Sequence, residues 1–261
     1  MTKLVGILNV TPDSFSDGGR YDTAEHAIQR IDELIACGAA GVDVGAESTR
    51  PGAVLLSPEQ EWHRLAPIME AICERAGKAF FSVDTRQAET ALRCIRVFGD
   101  AAPSSLAIND VSGGRNAKLV ETALKHNIRL ILTHSLSVPA DPAVTLPQDA
   151  DALQVVYDWA EDMIRQCGKN IIIDPGIGFG KNAEQSLSLI KNIGHLKALG
   201  VEIMGGHSRK SFLSLFTDKP AAQRDPETLI ISQYLVRQGV DYLRVHDVKS
   251  HYAMLKINEA L

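Results

Sequence analysis

No two cysteines of this chain stand close enough to form a C-x-x-C pair: Cys37, Cys73, Cys94 and Cys167 are widely spaced. Three of them, Cys37, Cys73 and Cys94, fall in helix-like stretches, so buried, reduced thiols are expected instead of a disulfide frame. No His/Cys/Asp cluster has the spacing of a zinc site. A basic excess is missing too. The formal net charge is -5, from 27 Lys and Arg against 32 Asp and Glu. Such a balance argues against a nucleic-acid or membrane-surface partner, though a local cationic pocket for a small anion stays open. No apolar run approaches the roughly 18 residues of a membrane span. The N-terminus, MTKLVGILNV, lacks a basic segment, a long apolar core and a small-residue cleavage site, and reads as a strand. A cytoplasmic protein is expected. No Pro/Ser-rich linker, low-complexity tract or internal repeat divides the chain, so residues 1–261 are expected to form a single domain.

What is present is a strict alternation of short apolar runs and longer amphipathic segments. The runs are Leu4–Val10, Gly41–Ala46, Ala79–Asp84, Leu106–Val111, Arg129–His134, Ile171–Asp174, Glu202–Gly206 and Tyr242–Asp247. They are rich in Val, Ile and Leu without strict polar alternation, as suits parallel strands covered on both faces. Between and after them lie Ala24–Cys37, Pro58–Ala76, Gln87–Phe98, Ala117–His126, Ala150–Cys167, Glu184–Leu199, Pro226–Gln238 and Ser250–Ala260. In the first of these, Ala27, Ile28, Ile31, Leu34 and Ile35 recur at helical steps and define one face. Eight strands and eight helices in 261 residues predict a (β/α)8 barrel; the rival, an open doubly wound sheet, would need fewer strands or a second domain. The polar, proline-bearing segment Leu136–Asp149 reads as a long loop.

The polar and glycine-rich clusters fall where the strands end, which in a barrel is the active-site face. The first strand leads into Asn9–Gly19 and the second into Gly45–Gly52, two long loops of the kind that close over ligands. The third ends in Asp84-Thr85-Arg86, the fourth in Asn109-Asp110, the fifth in His134 and the sixth in Asp174–Lys181. The last two lead to Ser208-Arg209-Lys210-Ser211 and Arg244-Val245-His246. Asp84, Asn109 and Asp174 offer two carboxylates and a carboxamide at one mouth, suited to a planar heterocycle rich in N–H and C=O groups. Their bland alternative is helix N-capping. The cations of the seventh and eighth strand ends suit a phosphate, since cations at a helix start are unfavourable unless an anion joins them. Asn9 is a candidate oxygen ligand for a divalent cation held with a pyrophosphate. His134 and His207 lie at strand ends with no assigned role. His26, His63, His126, His195 and His251 read as structural or surface residues.

Seven segments in order, GILNVTPDSFSDGG (Gly6–Gly19), DVGAESTRPGA (Asp43–Ala53), VDTR (Val83–Arg86), INDVSGG (Ile108–Gly114), DPGIGFGK (Asp174–Lys181), SRKSF (Ser208–Phe212) and RVHDV (Arg244–Val248), resemble dihydropteroate synthase. The resemblance implies condensation of 6-hydroxymethyl-7,8-dihydropterin pyrophosphate with p-aminobenzoate, giving 7,8-dihydropteroate and pyrophosphate with Mg²⁺ as cofactor. It implies pterin binding by Asp84, Asn109, Asp174 and Lys210, and pyrophosphate binding by Asn9, Arg244 and His246, with Asn9 at the metal. Phe15, Thr49, Pro51 and Ser211 would shape the p-aminobenzoate site. Catalysis would rest on Asp84, Asp174, Lys210, Arg244 and His246. A homodimer and competition by sulfonamide inhibitors are implied as well. The fifth strand departs from the pattern, with Thr133-His134-Ser135 where the family usually has Met-His-Met. Two alternatives stand beside this reading: a methyltetrahydrofolate–corrinoid methyltransferase-like barrel, and a pterin-binding paralogue without turnover.

Overall fold

A computed structural model describes residues 1–10, 20–47, 52–141 and 143–261, with residues 20–23 described by backbone alone. Eight parallel strands close on themselves in sequence order: β1 (Lys3–Asn9), β2 (Gly41–Gly45), β3 (Phe80–Asp84), β4 (Leu106–Asp110), β5 (Arg129–Thr133), β6 (Ile171–Asp174), β7 (Glu202–Gly205) and β8 (Tyr242–Val245). The ring shuts where β1 pairs with β8, with Val5 opposite Arg244. The helices are α1 (Arg20–Ala36), α2 (Pro58–Glu74), α3 (Ala88–Phe98), α4 (Ala102–Ser105), α5 (Ala117–Lys125), α6 (Ala152–Cys167), α7 (Ala183–Asn192), α8 (Asp225–Arg237) and α9 (Val248–Ala260). This is the expected (β/α)8 barrel. No described helix is long and apolar enough to cross a membrane.

Each strand has two faces, because successive side chains point to opposite sides of a sheet. The outward face carries Leu4, Val42, Val44, Phe81, Val83, Ile108, Leu130, Leu132, Ile173 and Ile203. These pack with the inner stripes of the helices, such as Ala27, Ile31 and Leu34 of α1 and Leu65, Ile68 and Ile72 of α2, in one continuous cluster. The inward face starts low in the barrel with a second apolar cluster: Val5, Ala107, Ile131, Ile172, Met204 and Tyr242, with Phe80 against it. Two residues further along their strands the inward face turns polar, at Asp43, Ser82, Asn109, Thr133, Asp174 and Arg244. The apolar layer closes the floor, and the polar layer above it faces the mouth.

The helix starts follow capping chemistry. Ser57 and Gln60 form a reciprocal capping box on α2, with Pro58 at its first position, and Asn182 with Gln185 does the same for α7. Asn116, Asp151 and Asp247 cap α5, α6 and α9. The helix expected to run continuously from Glu184 to Leu199 is instead α7 followed by a 3₁₀ segment, Ile193–Leu199. Gly194 sits at that change, where an added Cβ would lie 2.8 Å from Gln238 Oε1 and 3.2 Å from its carbonyl, so the chain runs close to the end of α8. The short α4 was not expected; it fills the turn between α3 and β4. The loop at 136–149 is tied down where Leu146 N–H donates to Gly180 O (2.9 Å) and Gln185 Nε2 to Pro147 O (2.7 Å).

Candidate functional site

The polar layer is one connected network. The Asp43 carboxylate, on β2, accepts from Ser82 Oγ at 2.5 Å through one oxygen. Its other oxygen accepts from Asn109 Nδ2 at 3.0 Å and Arg244 Nη1 at 3.2 Å. Arg244 Nη2 donates to Asp174 Oδ2 at 2.7 Å, so the guanidinium bridges two acids from β2 and β6. Asn109 Oδ1 in turn accepts from Thr133 Oγ1 at 3.3 Å. Asp174 Oδ1 accepts from Gly176 N–H at 2.8 Å, which turns the chain sharply at the end of β6.

Asp84 stands apart. Its carboxylate accepts no hydrogen bond from a described residue, and it does not cap α3, whose N-cap is Gln87 without a side-chain bond. The capping alternative therefore fails for Asp84. A Cβ placed on Gly45 would lie 3.5 Å from Asp84 Oδ2 and 3.7 Å from Asn9 Oδ1. The β1 amide and the β3 carboxylate thus both lie close to Gly45, which puts no side chain between them. Burial pushes the Asp84 carboxyl well above the usual range, and the neighbouring Asp43 adds to this while Arg244 opposes it. Burial raises Asp43 as well, against the pull of Arg244. Arg244 is buried at 8% exposure; desolvation works against its cation, yet Asp174, Asp43 and Asp84 hold its pKa above the ordinary value.

Lys210 follows β7 and caps the 3₁₀ turn Ser211–Leu215 with extended backbone. Its Nζ lies 3.8 Å from the centroid of the Phe179 ring, a cation–π contact that fixes the ammonium over the β6–α7 loop. Burial and Arg244 bring its pKa down to about 8, against Asp174 and Asp84. Ser211 is exposed beside it. Arg209, expected to bring a further cation to the mouth, turns away: with φ 60° it forms a forked pair with Asp225 at 2.7 and 2.6 Å. Ser208 Oγ bonds His246 Nδ1 at 2.8 Å and orients that ring. Of the assigned residues, Asn9, Asp84, Asn109, Asp174, Lys210, Ser211, Arg244 and His246 sit at the ends of β1, β3, β4, β6, β7 and β8 or in the turns just beyond. Phe15, Thr49 and Pro51 lie outside the described residues.

The structure adds residues that reading strand ends alone had passed over. Thr133 lies on the inward face at the end of β5 and Asp43 two residues below the end of β2, and period-two counting forward from Ile131 and back from Gly45 finds them. Lys181, at 6% exposure, points its Nζ at His134 Nδ1 (2.8 Å), Gly176 O (3.0 Å) and Phe179 O (3.1 Å). Burial lowers it to about 7 and lowers His134 to about 3, so the imidazole is neutral and accepts from the ammonium. Trp159 meets the other side of His134 edge-on at 5.1 Å. Gly176 is obligatory here: its φ is +67° and a Cβ would lie 1.8 Å from His134 O. His207 is buried against Ser232 Oγ (2.7 Å), which also bonds His251 Nε2 (2.8 Å); these two imidazoles tie the end of β7 to α8 and α9 and do not face the mouth.

Behind β3, Glu61 of α2 is fully buried and accepts from Thr85 Oγ1 at 2.8 Å. Burial raises its carboxyl to about 7. Next to it Arg86 forks onto Glu47 (3.0 and 3.2 Å), whose Oε1 also accepts from Leu56 N–H at 2.5 Å. Glu47 therefore pins both ends of the long loop after β2 to the residues that follow Asp84.

Residues 5–246 match the family described as pterin binding enzyme. The chain is 38% identical over 97% of its length to the folate synthesis bifunctional protein of Chlamydia caviae, of which it spans 58%. It is 35% identical to the dihydropteroate synthase of Bacillus subtilis, covering 100% of this chain and 88% of that one. Among solved structures, the dihydropteroate synthase of Anaplasma phagocytophilum with bound 6-hydroxymethylpterin-monophosphate superposes with a TM-score of 0.86 at 35% identity, over 100% of this chain and 99% of that one.

Proposed function

This chain belongs to the pterin-binding enzyme family, and we propose that it is a dihydropteroate synthase, joining 6-hydroxymethyl-7,8-dihydropterin pyrophosphate to p-aminobenzoate. The observation that carries this reading is the convergence of Asp84, Asn109 and Asp174 from three strands, with Lys210 over them, at one mouth. A carboxylate can accept two parallel N–H bonds from an aminopyrimidine edge, while Asn109 offers both a donor and an acceptor to a ring amide. Asn109 and Asp174 are sealed at 0% and 1% exposure, so a ring reaches them only after side chains at the mouth shift.

The chemistry assigned is displacement at the pterin's exocyclic carbon. Its C–O bond to pyrophosphate breaks, the electron pair leaves with the pyrophosphate, and the aniline nitrogen of p-aminobenzoate forms the new C–N bond and loses a proton. Asp84 and Asp174 favour the positive charge that develops on the pterin. Arg244 uses two of its five N–H groups on Asp43 and Asp174, and the remaining three, with His246, suit the departing anion. Lys210 lies within the field of both the ring acids and Arg244, so its charge responds to which ligand is present. Ser211, with Phe15, Thr49 and Pro51, belongs to the p-aminobenzoate side of the same proposal, where sulfonamides would compete.

Mg²⁺ fits the donors that are present in a limited way. Among the described residues no group of three His, Cys, Asp or Glu side chains gathers to hold a metal. Asn9 Oδ1 is a hard oxygen facing the mouth beside Asp84, suited to a cation that keeps most of its shell as water and phosphate oxygens. Bound there, the ion would neutralise charge on the pyrophosphate. A homodimer and a cytoplasmic location complete the proposal.

The test is release of pyrophosphate by the purified protein supplied with Mg²⁺ and the pterin pyrophosphate, with and without p-aminobenzoate, and mass detection of dihydropteroate. Product formed in step with pyrophosphate is the expected result. A folded protein that binds the pterin and yields no product would favour the paralogue without turnover and sink the assigned activity.

A further inference from the structure

We propose that Asp43 is a positioning residue of the pterin site, one that sets which way the Asn109 carboxamide faces and where the Arg244 guanidinium lies. The inference rests on the pterin-binding reading above and names a residue that reading leaves without a task. Asp43 is buried at 5% exposure on the inward face of β2, two residues before Gly45. From there it acts through its neighbours and does not reach the mouth.

The carboxylate makes three side-chain bonds, and each has a direction. An ionised carboxylate only accepts, so the atom of Asn109 that meets Asp43 Oδ2 at 3.0 Å must be the nitrogen. This excludes the flipped amide, which would set oxygen against oxygen. With Nδ2 turned to Asp43, Oδ1 faces the Thr133 hydroxyl at 3.3 Å. The carboxamide is thus held at both ends, and what it has left is one N–H and one lone pair. Those two groups are what a ring amide reads. Released from Asp43, Asn109 gains a second rotamer of similar energy, and half of its pattern is wrong for the ring.

The same oxygen takes Arg244 Nη1 at 3.2 Å, while Asp174 takes Nη2. The fork keeps the guanidinium level between β2 and β6. Ser82 Oγ, at 2.5 Å from Asp43 Oδ1, stops the carboxylate from rotating, and Ser82 is directly across the β2–β3 pairing from Asp43. The strand-5 departure belongs to this arrangement. Thr133 supplies a hydroxyl on the free side of Asn109, so in this chain the carboxamide is clamped by β2 and β5 together. Thr133 is fully buried, which makes it a support and not a surface for the ring.

The experiment is equilibrium binding of 6-hydroxymethyl-7,8-dihydropterin pyrophosphate with Mg²⁺, in the absence of p-aminobenzoate, to wild type, Asp43→Asn, Asn109→Ala and the double variant. Thermal melting of each confirms folding. Asp43→Asn should weaken binding about tenfold or more, the loss of a hydrogen bond to a charged group. In the Asn109→Ala background the same change should cost clearly less, because the route through the carboxamide is gone and only the one through Arg244 remains; the combined loss then falls short of the product of the single losses. A purely structural role would lower melting temperature and leave the two losses multiplying. Wild-type-like binding by Asp43→Asn, or independent losses, would overturn the assignment of Asp43. Failure of the wild type to bind the pterin would overturn the functional reading itself, and Asp43 with it. Should Asp43→Asn not fold, Ser82→Ala replaces it: a smaller loss of pterin affinity that shrinks further in Asn109→Ala is expected, and unchanged affinity counts against the proposal.

Discussion

Glu61→Gln should stabilise this protein at pH 8 and do so less and less as the pH is lowered. Glu61 is fully buried, and one of its oxygens has a partner, Thr85 Oγ1 at 2.8 Å. Oε1 and the nearby Thr90 hydroxyl reach no hydrogen-bond geometry with any described group. Desolvation raises the carboxyl from 4.5 to about 7, Glu47 pushes the same way, and the Thr85 hydrogen bond and Arg86 oppose it. A raised acid pKa means that the folded chain holds a proton which the unfolded chain releases from about pH 4.5 upward. Stability therefore falls as pH rises through the window from 4.5 to about 7, and levels off above it. The span corresponds to roughly 3 kcal/mol at about 1.4 kcal/mol per pH unit. Glutamine accepts from Thr85 and turns N–H donors toward Thr90, without a charge to bury. Urea unfolding of both proteins at pH 5 and pH 8 measures the difference, with other titrating groups cancelling between the two. The variant should gain a few kcal/mol more at pH 8 than at pH 5, or roughly 5–10 °C in melting temperature. An equal difference at both pH values, or a variant less stable at pH 8, would show that the carboxylate is compensated in the fold and that the reasoning is wrong.

Further outcomes follow from the same geometry. Lys210 carries its charge below about pH 8 and loses it above, so kcat/KM should fall on the alkaline side near that value; Lys210→Ala should cut turnover about a hundredfold in steady-state assays and abolish that limb. Gly206→Ala places a Cβ 2.5 Å from Asp174 Oδ2 and 2.9 Å from Arg244 Nη2. That splits the ion pair, so pterin affinity by calorimetry should drop more than about tenfold, since parting a buried pair is costly; affinity equal to wild type would refute the crowding. Lys181→Met leaves Gly176 O, Phe179 O and His134 Nδ1 without their donor. A loss of about 2–4 kcal/mol in urea unfolding is expected, together with weaker pterin binding as Phe179 and Lys210 loosen; an unchanged midpoint would show that these three acceptors do not depend on Lys181.

Much of this architecture is local and therefore readable along the chain. Eight short Val-, Ile- and Leu-rich runs between amphipathic segments leave few ways to bury both faces of a parallel sheet, and β6 was placed at Ile171–Asp174 to the residue. The expected runs at β1 and β5 extend one residue past the strands, to Val10 and His134, whose N–H groups still donate to the neighbouring strand, at Gly45 O (2.7 Å) and Asp174 O (2.9 Å). Residues at strand ends were legible because polar groups in that position have few structural reasons to recur in all eight strands. What the sequence did not reveal depends on contacts between distant strands. Asp43 and Asn109 are 66 positions apart and Asp43 and Arg244 are 201 apart, and only closure of the barrel brings them within hydrogen-bond distance. Arg209 and Lys210 are adjacent in sequence, yet a left-handed backbone at Arg209 sends one to Asp225 and leaves the other over Phe179. The order of elements and the chemistry at the mouth were set by the sequence itself, through periodicity and residue type. Which side chains hold one another, and which are left free to meet a ligand, was decided by the tertiary structure, because ring closure alone fixes distances between residues that the chain keeps far apart.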